Sequence, residues 1–385
     1  MVKKQTMSVS FRADSPLHEA GAQAALATYV CDPNPRVGCV IVDASGRTLG
    51  QGHTQRIGQA HAEVMALRAA QAAGHSVRGA SVYVTLEPCA HFGRTPPCCD
   101  ALIEAGVARV LVAVQDPNPQ VAGQGIARLR AAGIEVSLLA SEHPGALAAH
   151  ELNIGFFSRM TRQRPWVRLK IAASVDGKTA LDNGLSQWIT GPAARIDGHA
   201  WRARASAVLT GIGTVLTDNP RLDVRLLETP RQPQLVLVDS RLETPLDARL
   251  FEPERAVIIY AALPDAAKQA ALQARGATVI YLPGQQAQTR GKVDLAAMMR
   301  DLGQREINEL HVEAGHKLNG SLIEAGLVDE LLLYLAPKLI GQGRDMASFG
   351  PLADLGQAHG LAFKSTAMLG PDLRIVARVS GRDPF

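Results

Sequence analysis

Residues 61–99 read HAEVMALRAAQAAGHSVRGASVYVTLEPCAHFGRTPPCC and contain the most informative motifs of the chain. They hold a His-Ala-Glu triplet at 61–63, a Pro-Cys pair at 88–89 and a further cysteine at 98. One histidine and two cysteines form a known ligand set for zinc sites that keep a fourth position for water. Zinc lowers the pKa of bound water to near neutrality and so creates a hydroxide nucleophile. We therefore predict that His61, Cys89 and Cys98 bind Zn²⁺.

Glu63 supplies the second element of the predicted chemistry. In zinc-dependent deaminases a glutamate that is not a ligand transfers protons while the zinc-bound hydroxide attacks the ring carbon. Residues i and i+2 of a helix lie on different faces, so His61 and Glu63 can approach one metal only where a helix begins. The motif predicts a hydrolytic deaminase with Glu63 as the proton shuttle.

Two alternatives concern the cysteines. Cys99 could replace Cys98 as a ligand, but Cys98 opens a predicted helix, whose dipole favours a thiolate at that position. The whole set could also be a buried histidine and inert cysteines without metal. The agreement of the spacing, Pro88 and the following helix favours the metal site. All five cysteines lie in the first hundred residues, which disfavours a disulfide framework and indicates a reducing, cytoplasmic environment.

Length and pattern predict two domains. A chain of 385 residues exceeds a usual single domain, and strands alternate with helices in both halves. The basic, proline-ended stretch TRQRP at 161–165 is the predicted boundary. We predict a disordered tail over 1–13, a zinc deaminase domain over 14–160 and a second α/β domain over 164–385. The last helix of the first domain is expected over about 144–160.

Charge and hydropathy restrict the partners. The formal net charge is +4, and the first 158 residues carry equal numbers of basic and acidic side chains. Aromatic residues make up only 4% of the chain, so stacking surfaces for nucleic acid are not predicted. No apolar run approaches the roughly 18 residues of a membrane span. The basic excess in the second half is compatible with a small anionic ligand there.

The spacing between the cysteines separates this chain from nucleoside deaminases, which carry Pro-Cys-x-x-Cys. Eight residues lie between Cys89 and Cys98, and the chain also has PNPRVG at 33–38, Gly-His at 52–53 and GRTPPCC at 93–99. These motifs closely resemble the bifunctional deaminase–reductase family of riboflavin biosynthesis. The resemblance implies a cytidine-deaminase-like α/β/α domain that hydrolyses the 2-amino group of a phosphoribosylamino-diaminopyrimidinone. It also implies substrate contacts from Asn34, His53 and Arg94, with the Arg94 guanidinium at the phosphate.

Motifs of the second half are similar to the reductase domain of the same family. They are KIAASVDGKTA at 170–180, SQWIT at 186–190, GIGTV at 211–215, DNP at 218–220 and LVDEL at 327–331. The resemblance implies a dihydrofolate-reductase-like fold that uses NADPH to reduce the ribosyl group to a ribityl chain. No Gly-x-Gly-x-x-Gly follows the first strand of this half. From the residues alone, the turn at 315–321 is either a phosphate-binding helix start or a plain strand-to-helix connection.

The resemblance also implies site residues in the second half. The NADPH side comprises Ala172, Trp188, Thr214, Asp218, Ser240, Gly315, His316, Lys317, Leu318, Asn319, Gly320 and Ser321. The substrate side comprises Ser186, Arg202, Leu222, Arg225 and Glu313.

Within these sets, Arg202 and Arg225 are expected to bind the phosphate. Lys170 and Glu313 are expected beside the reacting ribose as catalytic groups. Two departures from the family pattern stand out, since Asp223 replaces a usual threonine and Ala314 replaces a usual glycine. A carboxylate at 223 would weaken phosphate binding unless it points away.

The sequence is also compatible with two other functions. One is a zinc deaminase of another aminopyrimidine or nucleoside, with an inactive or regulatory C-terminal ligand-binding domain. Another is a non-catalytic zinc-stabilised binding protein, although Glu63 and a three-residue ligand set argue against a purely structural site. The expected partner is a small molecule rather than nucleic acid or membrane, and a symmetric homo-oligomer is compatible with the sequence.

Overall fold

The computed structural model describes residues 15–92, 96–119 and 121–382. The chain divides into two compact units, with the division between Arg162 and Gln163. The tail predicted over 1–13 lies outside the described residues. Among the described helices, none is both long and apolar enough to cross a membrane.

The first unit contains one five-stranded mixed sheet with strand order β2-β1-β3-β4-β5. Its helices are α1 (Pro16–Leu26), α2 (Ala62–Ala72), α3 (Cys98–Ala105), α4 (Gln124–Ala131), α5 (Pro144–Leu152) and α6 (Ile154–Arg162). Its strands are β1 (Gly38–Val42), β2 (Thr48–His53), β3 (Ser81–Val84), β4 (Arg109–Val112) and β5 (Glu135–Leu138). The pairs β2–β1 and β1–β3 are antiparallel, and β3–β4 and β4–β5 are parallel.

Small residues bring helices close to both faces of this sheet. A Cβ atom at Gly38 would overlap the Ala20 carbonyl of α1, and one at Gly52 would meet Ala66 of α2. Gly52 pairs with Cys39, the neighbour of Gly38, and successive residues of a strand point to opposite faces. The helices α1 and α2 therefore cover opposite faces, which gives the predicted three-layer α/β/α arrangement.

Two elements of the first unit differ from the sequence expectation. Strand β2 was not predicted, because its two glycines and Gln51 lack the β-branched pattern of a strand. The helix expected over 144–160 is two helices that break at Asn153. The buried Asn153 side chain accepts a hydrogen bond from the Arg36 backbone N (2.7 Å) and donates one to the Arg36 backbone O (2.9 Å). These long-range bonds to a loop are invisible in helical periodicity.

The second unit contains a nine-stranded sheet of order β11-β10-β9-β8-β12-β6-β13-β16-β15. Its strands are β6 (Trp166–Ser174), β7 (Lys178–Leu181), β8 (Ala207–Gly211), β9 (Gln234–Val238), β10 (Val257–Ala261), β11 (Ala277–Tyr281), β12 (Glu309–Val312), β13 (Glu330–Ala336), β14 (Gly343–Asp345), β15 (Leu361–Leu369) and β16 (Asp372–Val379). Its helices are α7 (Pro192–Arg204), α8 (Ile212–Asp218), α9 (Ala266–Ala274), α10 (Leu295–Gln304) and α11 (His316–Glu324). In the order of the sheet, the seven strands from β11 through β13 are parallel to one another. Strand β16 is antiparallel to β13, and β15 is antiparallel to β16. Strands β7 and β14 form a separate antiparallel pair.

The strand order reverses between β8 and β12. The chain adds β9, β10 and β11 on one side of β8 and then returns to place β12 on the other side. In open α/β sheets the crevice outside the carboxyl ends of the strands at such a reversal is the usual ligand site. We therefore expect the residues that follow β8 and β12 to form the cofactor site.

The central strands have one apolar and one charged face. Alternate residues of β6, such as Val167 and Leu169, join the main hydrophobic cluster with Leu310 of β12. Arg168 and Glu309 lie on the opposite face, as the two-residue period of a strand requires. This charged face continues along both strands to the end where the predicted reductase site lies.

Buried ion pairs hold the charged face together. Arg168 donates from Nη1 to Glu309 (2.8 Å) and from Nε to Glu330 (2.5 Å). Arg204 of α7 also donates to Glu309 (2.8 Å), and Arg378 donates to Glu330 (3.1 Å). Glu309 and Glu330 are each 1% exposed, so these carboxylates depend on the arginines for charge compensation. No sequence pattern predicted this network.

Candidate functional site

The structure brings His61, Cys89 and Cys98 together in the first unit. Their ligand atoms all lie within 4.8 Å of one another. The His61 Nδ1 atom faces both sulfurs, at 3.6 Å from Cys89 Sγ and 3.3 Å from Cys98 Sγ. Three converging N and S donors fit a tetrahedral zinc ion with one position left for water.

Two helix starts position these ligands. His61 is the N-cap of α2 with extended backbone angles (φ −77°, ψ 171°), and Glu63 lies in the first turn of that helix. Cys98 is the first residue of α3, and its backbone N–H donates to Cys89 Sγ at 3.3 Å. The helix start thus stabilises negative charge on the Cys89 sulfur.

The pKa shifts at this site follow from the packing of its side chains. A hydrogen bond between the two side chains, from the Cys98 thiol to the Cys89 sulfur, lowers the pKa of Cys89 to about 4 and raises the pKa of Cys98. Burial and the Cys89 charge raise the pKa of Glu63 to about 7. Glu63 is 3% exposed, so its carboxyl group is held in a dry position beside the ligand cluster. A carboxyl group with a pKa near neutrality is suited to both accept and donate a proton.

Cys99 does not point into the cluster. Its thiol donates to the backbone oxygens of Pro88 (3.2 Å) and Gly125 (3.6 Å). Burial raises its pKa to about 12, so it remains a neutral thiol. This geometry favours Cys98 over Cys99 as the ligand.

The predicted substrate residues of this unit lie at the same end of the sheet. His53 is the last residue of β2 and pairs with Gly38 at the start of β1, four residues after Asn34. His53 Nδ1 is 3.4 Å from Gln23 Oε1, and burial lowers the His53 pKa. The segment after His53 leads within eight residues to His61. Arg94 lies outside the described residues.

Glu87 and Asp116 were not predicted and lie beside the cysteine loop. Glu87 is 5% exposed and accepts hydrogen bonds from the backbone N–H groups of Asp116 (3.1 Å), Gly123 (3.0 Å) and Ile126 (3.1 Å). Burial raises the pKa of Asp116 to about 6, and the Glu87 and Cys89 charges act in the same direction. The sequence around Asp116, Asp-Pro-Asn-Pro, indicates only a turn. The position of Glu87, immediately before the Pro88-Cys89 pair, was the one sequence feature that could have indicated its place beside the cysteine loop.

In the second unit, Glu313 is the centre of a charged cluster just after β12. Its carboxylate accepts two hydrogen bonds from Arg202, from Nε and from Nη2 (2.9 Å), and lies 3.3 Å from Lys170 Nζ. Despite burial, the charges of Arg202 and Lys170 hold the pKa of Glu313 well below its usual value. His311 Nε2 lies 3.4 Å from the same carboxylate. The structure therefore joins the two predicted catalytic groups, Lys170 and Glu313, in one ion-paired set.

Arg225 belongs to a second charged cluster beside the first. Arg225 Nη1 donates to Asp223 Oδ1 (2.6 Å), and Arg221 Nε is 3.0 Å from Asp223 Oδ2. Arg202 Nη1 donates to the Asp223 backbone oxygen (2.9 Å), which links the two clusters. The Asp223 side chain therefore points toward the predicted phosphate-binding arginine. Leu222, before it, is buried with a left-handed backbone (φ 53°).

Two of the predicted cofactor residues lie at helix starts, where the strand order reverses between β8 and β12. Thr214 lies in the first turn of α8, and Gly315 is the N-cap of α11, for which no capping side chain is found among the described residues. The two turns are adjacent, because a Cβ atom at Gly315 would lie 3.9 Å from Thr214 Oγ1. Uncapped N–H groups at the start of a helix attract phosphate.

The remaining predicted residues of the second unit differ in their solvent exposure. Asn319 and Gly320 are buried against residues 346–348, with the Asn319 amide donating to Met346 O (2.8 Å). Trp188 is 61% exposed, with Arg195 4.7 Å from its ring centroid. Ala172, Ser186, Ser240, His316 and Leu318 are partly exposed, and Asp218, Lys317 and Ser321 are exposed.

Comparison with known proteins matches each unit to a protein family. The family model of the cytidine and deoxycytidylate deaminase zinc-binding region matches residues 12–114, and the model of the RibD C-terminal domain matches residues 165–374. The riboflavin biosynthesis protein RibD of Escherichia coli is 44% identical over 90% of this chain and 93% of its own length. The chain belongs to the RibD family. The RibD of Haemophilus influenzae is 42% identical over 93% of this chain and 95% of its own length.

Solved RibD structures match most of the chain. Acinetobacter baumannii RibD superposes with a TM-score of 0.84 at 38% identity, covering 95% of this chain and 98% of its own. A Thermotoga maritima protein described as a diaminohydroxyphosphoribosylaminopyrimidine deaminase and 5-amino-6-(5-phosphoribosylamino)uracil reductase has a TM-score of 0.82 at 33% identity, over 94% and 97%. The predicted RibD family, two-domain α/β fold class and deaminase–reductase enzyme class are confirmed.

Proposed function

We propose that this RibD-family chain catalyses two consecutive reactions on a phosphoribosylaminopyrimidine. The first unit would deaminate 2,5-diamino-6-(5-phosphoribosylamino)pyrimidin-4-one, and the second would reduce the ribosyl group of the product with NADPH. The observation that carries the first half is the convergence of His61, Cys89 and Cys98 beside the buried Glu63. The Lys170–Glu313–Arg202 cluster at the strand-order reversal carries the second half.

The residues of the first unit suit hydrolytic deamination. When bound to His61, Cys89 and Cys98, Zn²⁺ supplies a nucleophilic hydroxide at neutral pH. Glu63 takes a proton from the attacking water and returns it to the leaving amino group, which departs as ammonia. The backbone N–H of Cys98 holds the Cys89 thiolate in place for the metal. Asn34 and His53 would orient the pyrimidine or ribose, and Arg94 its phosphate.

We expect the two adjacent cysteines to differ in zinc binding. Replacing Cys98 with alanine removes a ligand, so zinc affinity should fall by at least about 10²-fold, since even indirect partners of a metal cost 10–100-fold. Cys99→Ala is the matched control and should retain one zinc per chain, because its sulfur faces Pro88 and Gly125. Metal analysis after dialysis against a competing chelator measures both. Loss of zinc from Cys99→Ala alone would reverse the ligand assignment.

The second unit suits hydride transfer to a phosphorylated sugar. NADPH, when bound, supplies the hydride that reduces ribosyl C1′. The starts of α8 and α11, with Thr214 and Gly315, would bind its phosphates. Arg202 and Arg225 would bind the substrate phosphate, and Lys170 Nζ would hold a proton beside the reacting ribose. Glu313 fixes Lys170 and Arg202 in position through its ion pairs.

A two-stage assay with metal-analysed protein tests the whole proposal. Purified protein receives the diaminopyrimidinone ribosyl phosphate with and without NADPH, and both ammonia and NADPH are followed. Ammonia release in both samples, with NADPH oxidised only after deamination, is the expected result. Ammonia without NADPH oxidation would leave the chain a deaminase with an inactive second unit. Zinc-loaded protein that releases no ammonia would point to another aminopyrimidine or nucleoside.

We expect Glu313→Gln to separate the two activities. The substitution removes the anion between Arg202 and Lys170, so kcat/KM for NADPH oxidation should fall by at least about 10²-fold, while ammonia release stays unchanged. Steady-state assays of each half-reaction on its own substrate measure this. Glu306→Gln, on an exposed residue of the same unit, is the control. A Glu313→Gln protein that oxidises NADPH with the kcat/KM of wild type would exclude Glu313 from the reductase site.

A further inference from the structure

His199 lies on α7 between the two arginines that are predicted to bind the substrate phosphate. The residue is 5% exposed. Its Nδ1 atom accepts a hydrogen bond from the Arg225 backbone N (3.2 Å), and its Nε2 atom lies 3.5 Å from Arg202 Nη1. Neither the motifs of the second half nor the reaction described for Lys170 and Glu313 uses this imidazole.

The hydrogen bond from Arg225 fixes the tautomer of the ring. A backbone N–H can only donate, so Nδ1 must present its lone pair, and in the neutral ring the proton then resides on Nε2. Burial and the charges of Arg202 and Arg225 lower the His199 pKa to about 4, although Glu313 and Asp223 act in the opposite direction. The ring is therefore neutral at physiological pH.

Two donors consequently face each other, and no residue of the described part of the chain places an acceptor between them. The Nε2–H of His199 and Nη1 of Arg202 are both hydrogen-bond donors, yet their heavy atoms are only 3.5 Å apart. An oxygen about 2.9 Å from each atom would accept from both at ordinary hydrogen-bond length. The other hydrogen bonds of Arg202 go to Glu313 and to the Asp223 backbone oxygen, so they do not supply that acceptor.

We propose that His199 is a substrate-binding residue whose neutral Nε2–H donates to an oxygen of the substrate phosphate, together with Arg202. The inference rests on the proposed function, because it specifies how the reductase unit recognises a phosphate monoester. A neutral donor adds a contact without adding a third charge to the two arginines. The same ring orders the phosphate site by holding the backbone of Arg225.

Two substitutions separate phosphate binding from this structural role. Asparagine at 199 can place its amide oxygen near the position of Nδ1, which keeps the acceptor for Arg225 but removes the distal donor. Glutamine can place its amide nitrogen near the position of Nε2, which keeps the donor and loses the acceptor. A kcat for NADPH oxidation close to the wild-type value checks that the second unit of each purified variant is intact.

The expected result is an asymmetric effect on substrate KM. His199→Asn should raise the KM of the deaminated substrate about 10-fold or more, the effect of losing one hydrogen bond to a charged oxygen. His199→Gln should stay within about 3-fold of wild type, with kcat little changed in both. An unchanged KM in His199→Asn, or equal increases in both variants, would overturn the proposal.

Binding measurements keep this test independent of turnover. Calorimetric titration of the full chain with ribose 5-phosphate should show weaker binding to His199→Asn than to wild type and His199→Gln, and ribose without phosphate should show no such difference. Wild-type protein that binds ribose 5-phosphate in this pattern but does not oxidise NADPH would refute the proposed reaction while supporting the contact. Equal affinity in all three proteins, or the same difference with ribose, would refute the contact.

The tautomer gives a direct spectroscopic check. Long-range ¹H–¹⁵N spectra of protein labelled with ¹⁵N-histidine, with the His199 signal assigned by its loss in His199→Asn, should show a neutral ring protonated at Nε2. Addition of ribose 5-phosphate should shift the Nε2 resonance. A ring protonated at Nδ1, or charged at neutral pH, would contradict the inference.

Discussion

Replacing Glu63 with glutamine is expected to lower the rate of ammonia release by about 10²–10⁴-fold, the usual contribution of a general acid–base group. Glutamine has nearly the shape of glutamate but cannot accept and return a proton. Because Glu63 is buried beside the cluster without being one of its three donors, zinc should remain bound. Initial rates of ammonia release and zinc content per chain measure the two effects.

The control for this variant is Glu104→Gln, an exposed glutamate of α3. It should retain both zinc and wild-type turnover. A Glu63→Gln protein that keeps zinc but loses turnover also excludes a purely structural metal site. Near-wild-type ammonia release by zinc-loaded Glu63→Gln would show that another group transfers the proton.

The largest stability effect is expected from Glu309→Gln in the buried network of the second unit. This carboxylate compensates Arg168 and Arg204, at 2.8 Å from each. Removing one partner from a buried ion pair typically costs about 3–5 kcal/mol, because the remaining charge stays desolvated. At 2–4 °C per kcal/mol for a domain of this size, the Tm of the second unit should fall by about 6–20 °C.

Differential scanning calorimetry of the full chain, with Glu306→Gln as the surface control, measures this loss. The control should unfold within about 2 °C of wild type, since exposed substitutions usually change stability by less than 0.5 kcal/mol. A Glu309→Gln protein that is as stable as the control would mean that water or backbone rearrangement compensates the arginines.

The sequence alone was enough to predict the metal-ligand cluster of the first unit. The reactivity of the cluster lies in the side chains of His61, Glu63, Cys89 and Cys98. Residue type and spacing were therefore sufficient to predict it. The alternation of strands and helices likewise predicted the α/β class in both units. Both predictions depend on residue types and on the periodicity of apolar residues, which are read directly from the sequence.

Tertiary structure alone decided the elements that depend on distant partners. The break at Asn153 arises from bonds to Arg36, 117 residues away. Glu313 meets Arg202 across 111 residues and Lys170 across 143, because the return of β12 places it between β8 and β6. Sequence periodicity shows which face of a strand is polar, but not which strand lies beside it.

The phosphate cluster illustrates the same limit at a single side chain. Comparison with the family pattern identified Asp223 as an unusual carboxylate but did not predict which way its side chain points. In the structure the carboxylate forms ion pairs with Arg221 and Arg225. His199 carried no signal at all, because its proton position depends on a backbone N–H 26 residues away. The sequence thus determined which chemical groups this protein possesses. Strand order and long-range hydrogen bonds decided which of them meet, because those contacts form only when segments far apart in the chain pack together.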